Sequence, residues 1–197
     1  MRMNYVMGAL AAFAAVSSAQ AAGFVNGGFD NGTTSGWTIG GGSRSGQNLS
    51  VMNPASYLNG TDARSAVVTP GLDPTLGALM PNRVYSGTNS YRLQDGPTVG
   101  GFVSVISQTV LNYTDPDIFF TWLASLEGAH SAEQAAGMII QLQDLTMGDT
   151  PISRVYSAAP GAVDARFTLS SGGYYYTNAW RSNSSRSAPP ARATTSA

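Results

Sequence analysis

The 197-residue sequence contains no cysteine and no lysine, and a single histidine. Without cysteine there is no disulfide scaffold, zinc knuckle or thiol nucleophile. The ten basic residues are all arginine and face eleven acidic ones, a formal net charge of −1. That balance excludes a general electrostatic attraction to nucleic acid or to an anionic membrane. Helix-period apolar patterning is missing, and no segment approaches the roughly 20 apolar residues that a bilayer-spanning helix needs.

The opening 22 residues, MRMNYVMGALAAFAAVSSAQAA, have one Arg, an apolar stretch from Val6 to Val16 and a small-residue end. This is the charged, apolar and A-x-A order of a secretory signal, with cleavage expected after Ala21 or Ala22. The apolar stretch is too short for a membrane anchor. The expected location is therefore secreted, periplasmic or extracellular, with no membrane span in the mature chain. All eleven acids and six of the arginines lie between residues 22 and 180, so that stretch carries 6 − 11 = −5.

Residues 23–180 read as short alternating segments punctuated by Gly, Asn, Asp and Pro. Phe102 to Leu111 is rich in β-branched residues and precedes a turn-like NYTDPD. From Ile118 to Glu127, a period of two puts Ile118, Phe120, Trp122, Ala124 and Leu126 on one wholly apolar face. GMIIQLQDL, ISRVYSA and ARFTLS continue the pattern, whereas HSAEQAA reads as a loop and Gly40 to Gln94 as short strands joined by irregular loops. The expected fold is all-β, an antiparallel β-sandwich over residues 23–180.

The segment FVNGGFDNGTTSGWTI, from Phe24 to Ile39, resembles the first strand of secreted bacterial jelly-roll modules of the galactose-binding-like type. SYRLQDG, SVISQTV and YTDPDIFFTWLASLEGAH are similar to secreted proteins with a PEP-CTERM sorting signal, found in exopolysaccharide-producing bacteria. The Pro-Glu-Pro sorting tail of that family is absent from this sequence, so exosortase processing does not carry over. The resemblance implies a jelly roll and a structural Ca²⁺ held by Asp30, the acidic position of the opening motif; a turn-capping Asp30 is the alternative. No further cofactor is expected.

Sugar-stacking platforms need exposed aromatic faces, and Trp37, Tyr91, Trp122, Trp180 and the run Tyr174, Tyr175, Tyr176 are the candidates. Trp122 lies on the apolar face and reads as core. A tyrosine run in a strand alternates sides, so Tyr175 or the Tyr174/Tyr176 pair is expected to present an open carbohydrate-binding ring. Glu127, His130 and Glu133 form the one arrangement that suggests acid/base or metal chemistry, against a polar loop after a strand. No G-x-S-x-G elbow is present, and no carboxylate pair for glycoside hydrolysis is defined, so no catalytic residue is assigned.

After Trp180 the sequence RSNSSRSAPPARATTSA has three Arg, no acid and no large apolar residue, and is expected to be a disordered tail (residues 181–197) outside the domain. In the resembling family, a segment like Gln-Ile-Glu-Gln-Leu and later Gly-His-Asp-Phe follow that Trp. Codons exist for which a frame one base away yields both segments, so a one-base deletion near codon 181 and a sandwich lacking its final strands are expected. The functional expectation is a non-catalytic protein that binds or organises extracellular polysaccharide. Its alternatives are a structural envelope or matrix protein without a soluble ligand, and a secreted glycan-active enzyme.

Overall fold

A computed structural model describes residues 23–44, 48–61, 64–94, 101–111, 113, 115–129 and 131–186. Among these residues, eleven strands run in the order β1 (Thr38–Arg44), β2 (Ala66–Val68), β3 (Ser90–Arg92), β4 (Gly101–Ser107), β5 (Asp117–Trp122), β6 (Ser125–Glu127), β7 (Gly137–Asp144), β8 (Asp149–Ser157), β9 (Thr168–Leu169), β10 (Tyr174–Tyr176) and β11 (Arg181–Arg186). The helical content among the described residues is two single 3-10 turns, Leu49–Val51 and Pro54–Tyr57. Pairing is antiparallel in every ladder: β1 with β4, β2 with β3, β5 with β11, β7 with β8, and β6–β10–β9. The all-β, antiparallel expectation is met, and no described helix is long and apolar enough to cross a membrane.

The β1–β4 ladder owes its local packing to three successive glycines. The chain following the second 3-10 turn lies directly on Gly40 and Gly41: a Cβ at Gly40 would collide with the Tyr57 carbonyl, and one at Gly60 with the Gly41 carbonyl. Side chains at these points would lift the loop off the strand. Asn48 and Asn53 start the two turns, their side-chain oxygens accepting from Ser50 N and Ala55 N. Arg44, at the end of β1, reaches across to the loop before β7 and donates to the carbonyls of Ala135 (2.6 Å) and Glu133 (3.0 Å).

The main core is built on the apolar face that the alternation of Ile118 to Glu127 defines. Trp122, Ala124 and Leu126 are each 7% exposed and pack with Tyr156 and Ala158, while Phe120, Met138, Ile140, Phe167 and Tyr175 close over them. Phe167 and Tyr156 surround the Trp122 ring at 6.3 and 4.8 Å between centroids. The β7–β8 hairpin supplies Met138 opposite Tyr156 and Leu142 opposite Ile152. Its turn is fixed by Asp144, whose Oδ1 accepts from Thr146 N and Met147 N, and by Gly148 at φ 71°. A second cluster, Leu76, Met80 and Tyr176, lies against Leu123 and Tyr174.

Two features depart from the sequence-based expectation. The strand expected to run unbroken from Ile118 to Glu127 is interrupted at Leu123 and Ala124, because the opposite chain carries extra residues there. Thr177 fills the interruption: it is fully buried, its N–H donates to Ala124 O, and its Oγ1 accepts from Ala124 N. The domain boundary expected at residue 180 is also too early. Residues 181–186 form β11 and pair residue by residue with β5, from Arg181 opposite Trp122 to Arg186 opposite Asp117. A strand joins a ladder through backbone N–H and C=O groups, so a polar sequence can supply one where only half its side chains turn inward. Residues 187–197, the rest of the expected tail, lie outside the described residues.

Candidate functional site

The opening segment Gly23 to Trp37 is a strap that crosses the ends of several strands. Its aromatic side chains form a chain of rings: Tyr91 on Phe29 (5.3 Å), Phe29 on Trp37 (5.3 Å), Trp37 on Phe24 (6.3 Å) and Phe24 edge-on to Tyr113 (5.9 Å). The tight path requires left-handed backbone at Asn26, Phe29, Gly32 and Gly36. Asn26 holds it by accepting from the Trp37 indole Nε1 at its carbonyl and donating its side-chain amide to Thr33 O and Ser35 O. Trp37 and Tyr91, two of the candidate stacking residues, are thus committed to this ring chain.

Asp30 clamps the strap to the loop before β3. Its Oδ1 accepts from Thr88 N (2.7 Å) and Thr88 Oγ1 (3.1 Å), and these donors hold its carboxyl below the usual carboxylate range. Gly28 and Gly87 flank the carboxylate, and a Cβ at either would collide with it. Thr88 thus occupies Oδ1 of the residue to which the resemblance assigns calcium, in a clamp between segments 58 residues apart. Among the described residues no three His, Cys, Asp or Glu side chains converge on a common point.

The tyrosine run does not present the open ring expected of it. In β10, between β6 and β9, Tyr175 packs on the Trp122 cluster while Tyr174 and Tyr176 pack on the Leu76–Met80 cluster. Tyr176 is buried and the other two are half-buried. The alternation is as expected, but both faces of the strand are covered. Trp122 is in the core. Glu127 ends β6 opposite Tyr174 and is exposed, as is Glu133, whose carboxyl is held low by its own backbone N–H and by Ser131. Neither residue lines the two clefts described below, and His130, Ala21 and Ala22 lie outside the described residues.

The open aromatic surface is elsewhere. Tyr85, 61% exposed, lies 5.6 Å from the half-buried Trp180 with the rings tilted at 58°. Trp180 is pinned by a 2.9 Å hydrogen bond from its indole Nε1 to the Asn82 carbonyl. Asn82 is itself fixed, its Oδ1 accepting from Gly71 N and from Val84 N, and Val84 is buried. Trp180 was among the sequence candidates; Tyr85 was not, because it sits in a stretch without periodicity and meets Trp180 only through the fold. Two shallow clefts flank Gly23, one of about 220 Å³ containing Phe24, Tyr113, Asp115, Asp117 and Phe119, the other about 250 Å³ and floored by Val25, Gln108 and Val110.

Compared with protein-family models, curated proteins and solved structures, the chain matches none of them.

Proposed function

We propose that this is a secreted, non-catalytic β-sandwich of jelly-roll type that binds or organises extracellular polysaccharide, with Tyr85 and Trp180 as its sugar-contacting rings. The observation that carries this reading is the exposed Tyr85 ring set beside the half-buried Trp180, whose indole is pinned to Asn82. The axial C–H face of a pyranose packs on an aromatic face, and a ring held by neighbouring hydrogen bonds loses little freedom on doing so. Asn82 and Arg83 precede Tyr85 in the same loop, with Asn82 Oδ1 held by Gly71 N and Val84 N and Arg83 Nε donating to Thr69 O.

The reading is tested by affinity electrophoresis through gels containing bacterial exopolysaccharides, with the natural chain, Tyr85→Ala and Trp180→Phe. A retarded natural chain and at least tenfold weaker retardation for Tyr85→Ala, with an unchanged melting temperature, is the expected result. Retardation that survives Tyr85→Ala overturns this site. A natural chain that no polysaccharide retards favours the structural matrix reading.

A further inference from the structure

The β5–β11 ladder has two faces. Its inner face carries Phe120 and Trp122 of β5 into the core, where Asn183 of β11 meets the Trp122 indole. Period two therefore turns Asp117, Phe119 and Thr121 of β5, and Ser182, Ser184 and Arg186 of β11, to the outer face. There they stand in three rungs: Thr121 opposite Ser182, Phe119 opposite Ser184, and Asp117 opposite Arg186. Phe119 is 77% exposed, Ser182 and Ser184 are exposed, and Thr121 is half-buried. The last rung is an exposed ion pair, with Arg186 Nε 3.6 Å from Asp117 Oδ1.

The loop from Leu76 to Tyr85 covers this face at one end. Leu123, which continues the outer side past the end of β5, packs on the Leu76–Met80 cluster. Trp180, immediately before β11 and on the outer side by the same alternation, is held by Asn82 and touches Tyr85 of that loop. The Tyr85–Trp180 pair thus stands at the head of the three rungs. From Trp180 to Ser184, the partner of Phe119, is four residues of extended chain, about 13 Å at ~3.3 Å per residue. A single exposed phenylalanine is ordinary on a protein surface. Phe119 differs by its alignment with Trp180 along one strand, with the hydroxyls of Thr121, Ser182 and Ser184 in the interval. At its far side, Phe119 and Asp117 border the cleft of about 220 Å³ that also contains Phe24 and Tyr113.

The geometry points to a track for a linear, uncharged polysaccharide along β11. One sugar stacks on the Tyr85–Trp180 rings, a second further along the same glycan stacks on Phe119, and the sugars between them bond to the hydroxyls of Ser182, Thr121 and Ser184. This rests on the polysaccharide reading and adds to it the form of the ligand, an internal stretch of several sugar units. Hydroxyl side chains both donate and accept, as sugar hydroxyls do. An uncharged glycan is assigned because the two charges on these rungs, Asp117 and Arg186, face and pair with each other. An interval of about 13 Å is too long for one monosaccharide to touch both rings, so Phe119 adds affinity only to a ligand that spans it.

Titration calorimetry of the full chain with cellobiose, cellohexaose, mannobiose and mannohexaose tests the track. The natural chain should bind the hexasaccharide of at least one series about tenfold or more tighter than its disaccharide. Phe119→Ala should cut that ratio about fivefold with an unchanged melting temperature, and Phe119→Trp should keep it. A ratio that Phe119→Ala leaves unchanged, or equal affinity of the natural chain for both lengths, overturns the track and leaves the Tyr85–Trp180 site standing. A hexauronate from alginate that binds as tightly as the neutral hexasaccharides overturns the assignment to an uncharged glycan. A chain that binds none of the four neutral sugars overturns the track, and if no exopolysaccharide gel retards it either, the polysaccharide reading falls with it. Should Phe119→Ala fail to fold, Ser184→Glu, on the facing position of the same rung, replaces it under the same criteria.

Discussion

The indole Nε1 of Trp122 donates a 2.7 Å hydrogen bond to Oδ1 of Asn183. Trp122 is the largest ring of the main core, and its one polar atom is answered by a side chain from β11, opposite Phe120. An indole N–H buried without a partner costs about 1–3 kcal/mol. The polar segment after Trp180 thus contributes where apolar residues could not: it supplies the acceptor for the indole donor of the core tryptophan.

Replacing Asn183 by Leu should therefore destabilise the protein by about 1–3 kcal/mol, since the added apolar surface does not replace the lost acceptor. Urea unfolding followed by tryptophan fluorescence measures this. Stability within about 0.5 kcal/mol of the natural chain, the usual scatter for a surface change, would show that β11 does not serve Trp122.

Gln108 behaves as a piece of backbone, accepting from Val25 N and donating to Val25 O and Gly36 O (2.7 Å). Gln108→Ala removes all three bonds and should cost about 1–3 kcal/mol, with the loss concentrated in the strap. Hydrogen exchange should show faster exchange at Val25 than at the β7–β8 hairpin. Uniform exchange across both would contradict a local role.

Asp30→Ala should lower the melting temperature at pH 7. Because the Asp30 carboxyl is held below its ordinary value by Thr88, its contribution is present above that value and disappears as pH falls through the lowered one. The difference between natural and Asp30→Ala proteins should accordingly shrink toward pH 2. Millimolar calcium should leave the melting temperature of the natural chain unchanged if Thr88 keeps the carboxylate, and a rise would assign the oxygen to the ion instead.

Gly60→Ala should be among the most damaging single-methyl additions, because its Cβ would overlap the Gly41 carbonyl, a backbone atom that cannot turn aside. Overpacking of this kind costs about 1–3 kcal/mol. Gly172→Ala is the control: its Cβ would meet only ordinary contacts at 3.8 Å. Equal melting temperatures for the two variants would argue against the close crossing of strand and loop.

The apolar face of Ile118, Phe120, Trp122, Ala124 and Leu126 was legible because side-chain period two is a local property of an extended chain. The turn at Gly148 and the loop character of Gly40 to Gln94 were legible for the same local reason. What covers the second face of the tyrosine run was not. Alternation separates Tyr175 from Tyr174 and Tyr176, yet only the approach of Leu76 and Met80 buries the latter side. Asp30 was legible as a candidate residue, while its partner Thr88 was not, since nothing in the spacing of the two announces their meeting.

The sequence by itself determined the all-β class and the face that enters the core. Only the tertiary structure decided which strands pair, that residues 181–186 join the sheet, and that Tyr85 stands beside Trp180. The physical reason is the same in each case. Strand pairing is made by backbone groups common to every residue, so local patterns specify a strand and its faces, while the identity of its neighbour is settled by contacts made far along the chain.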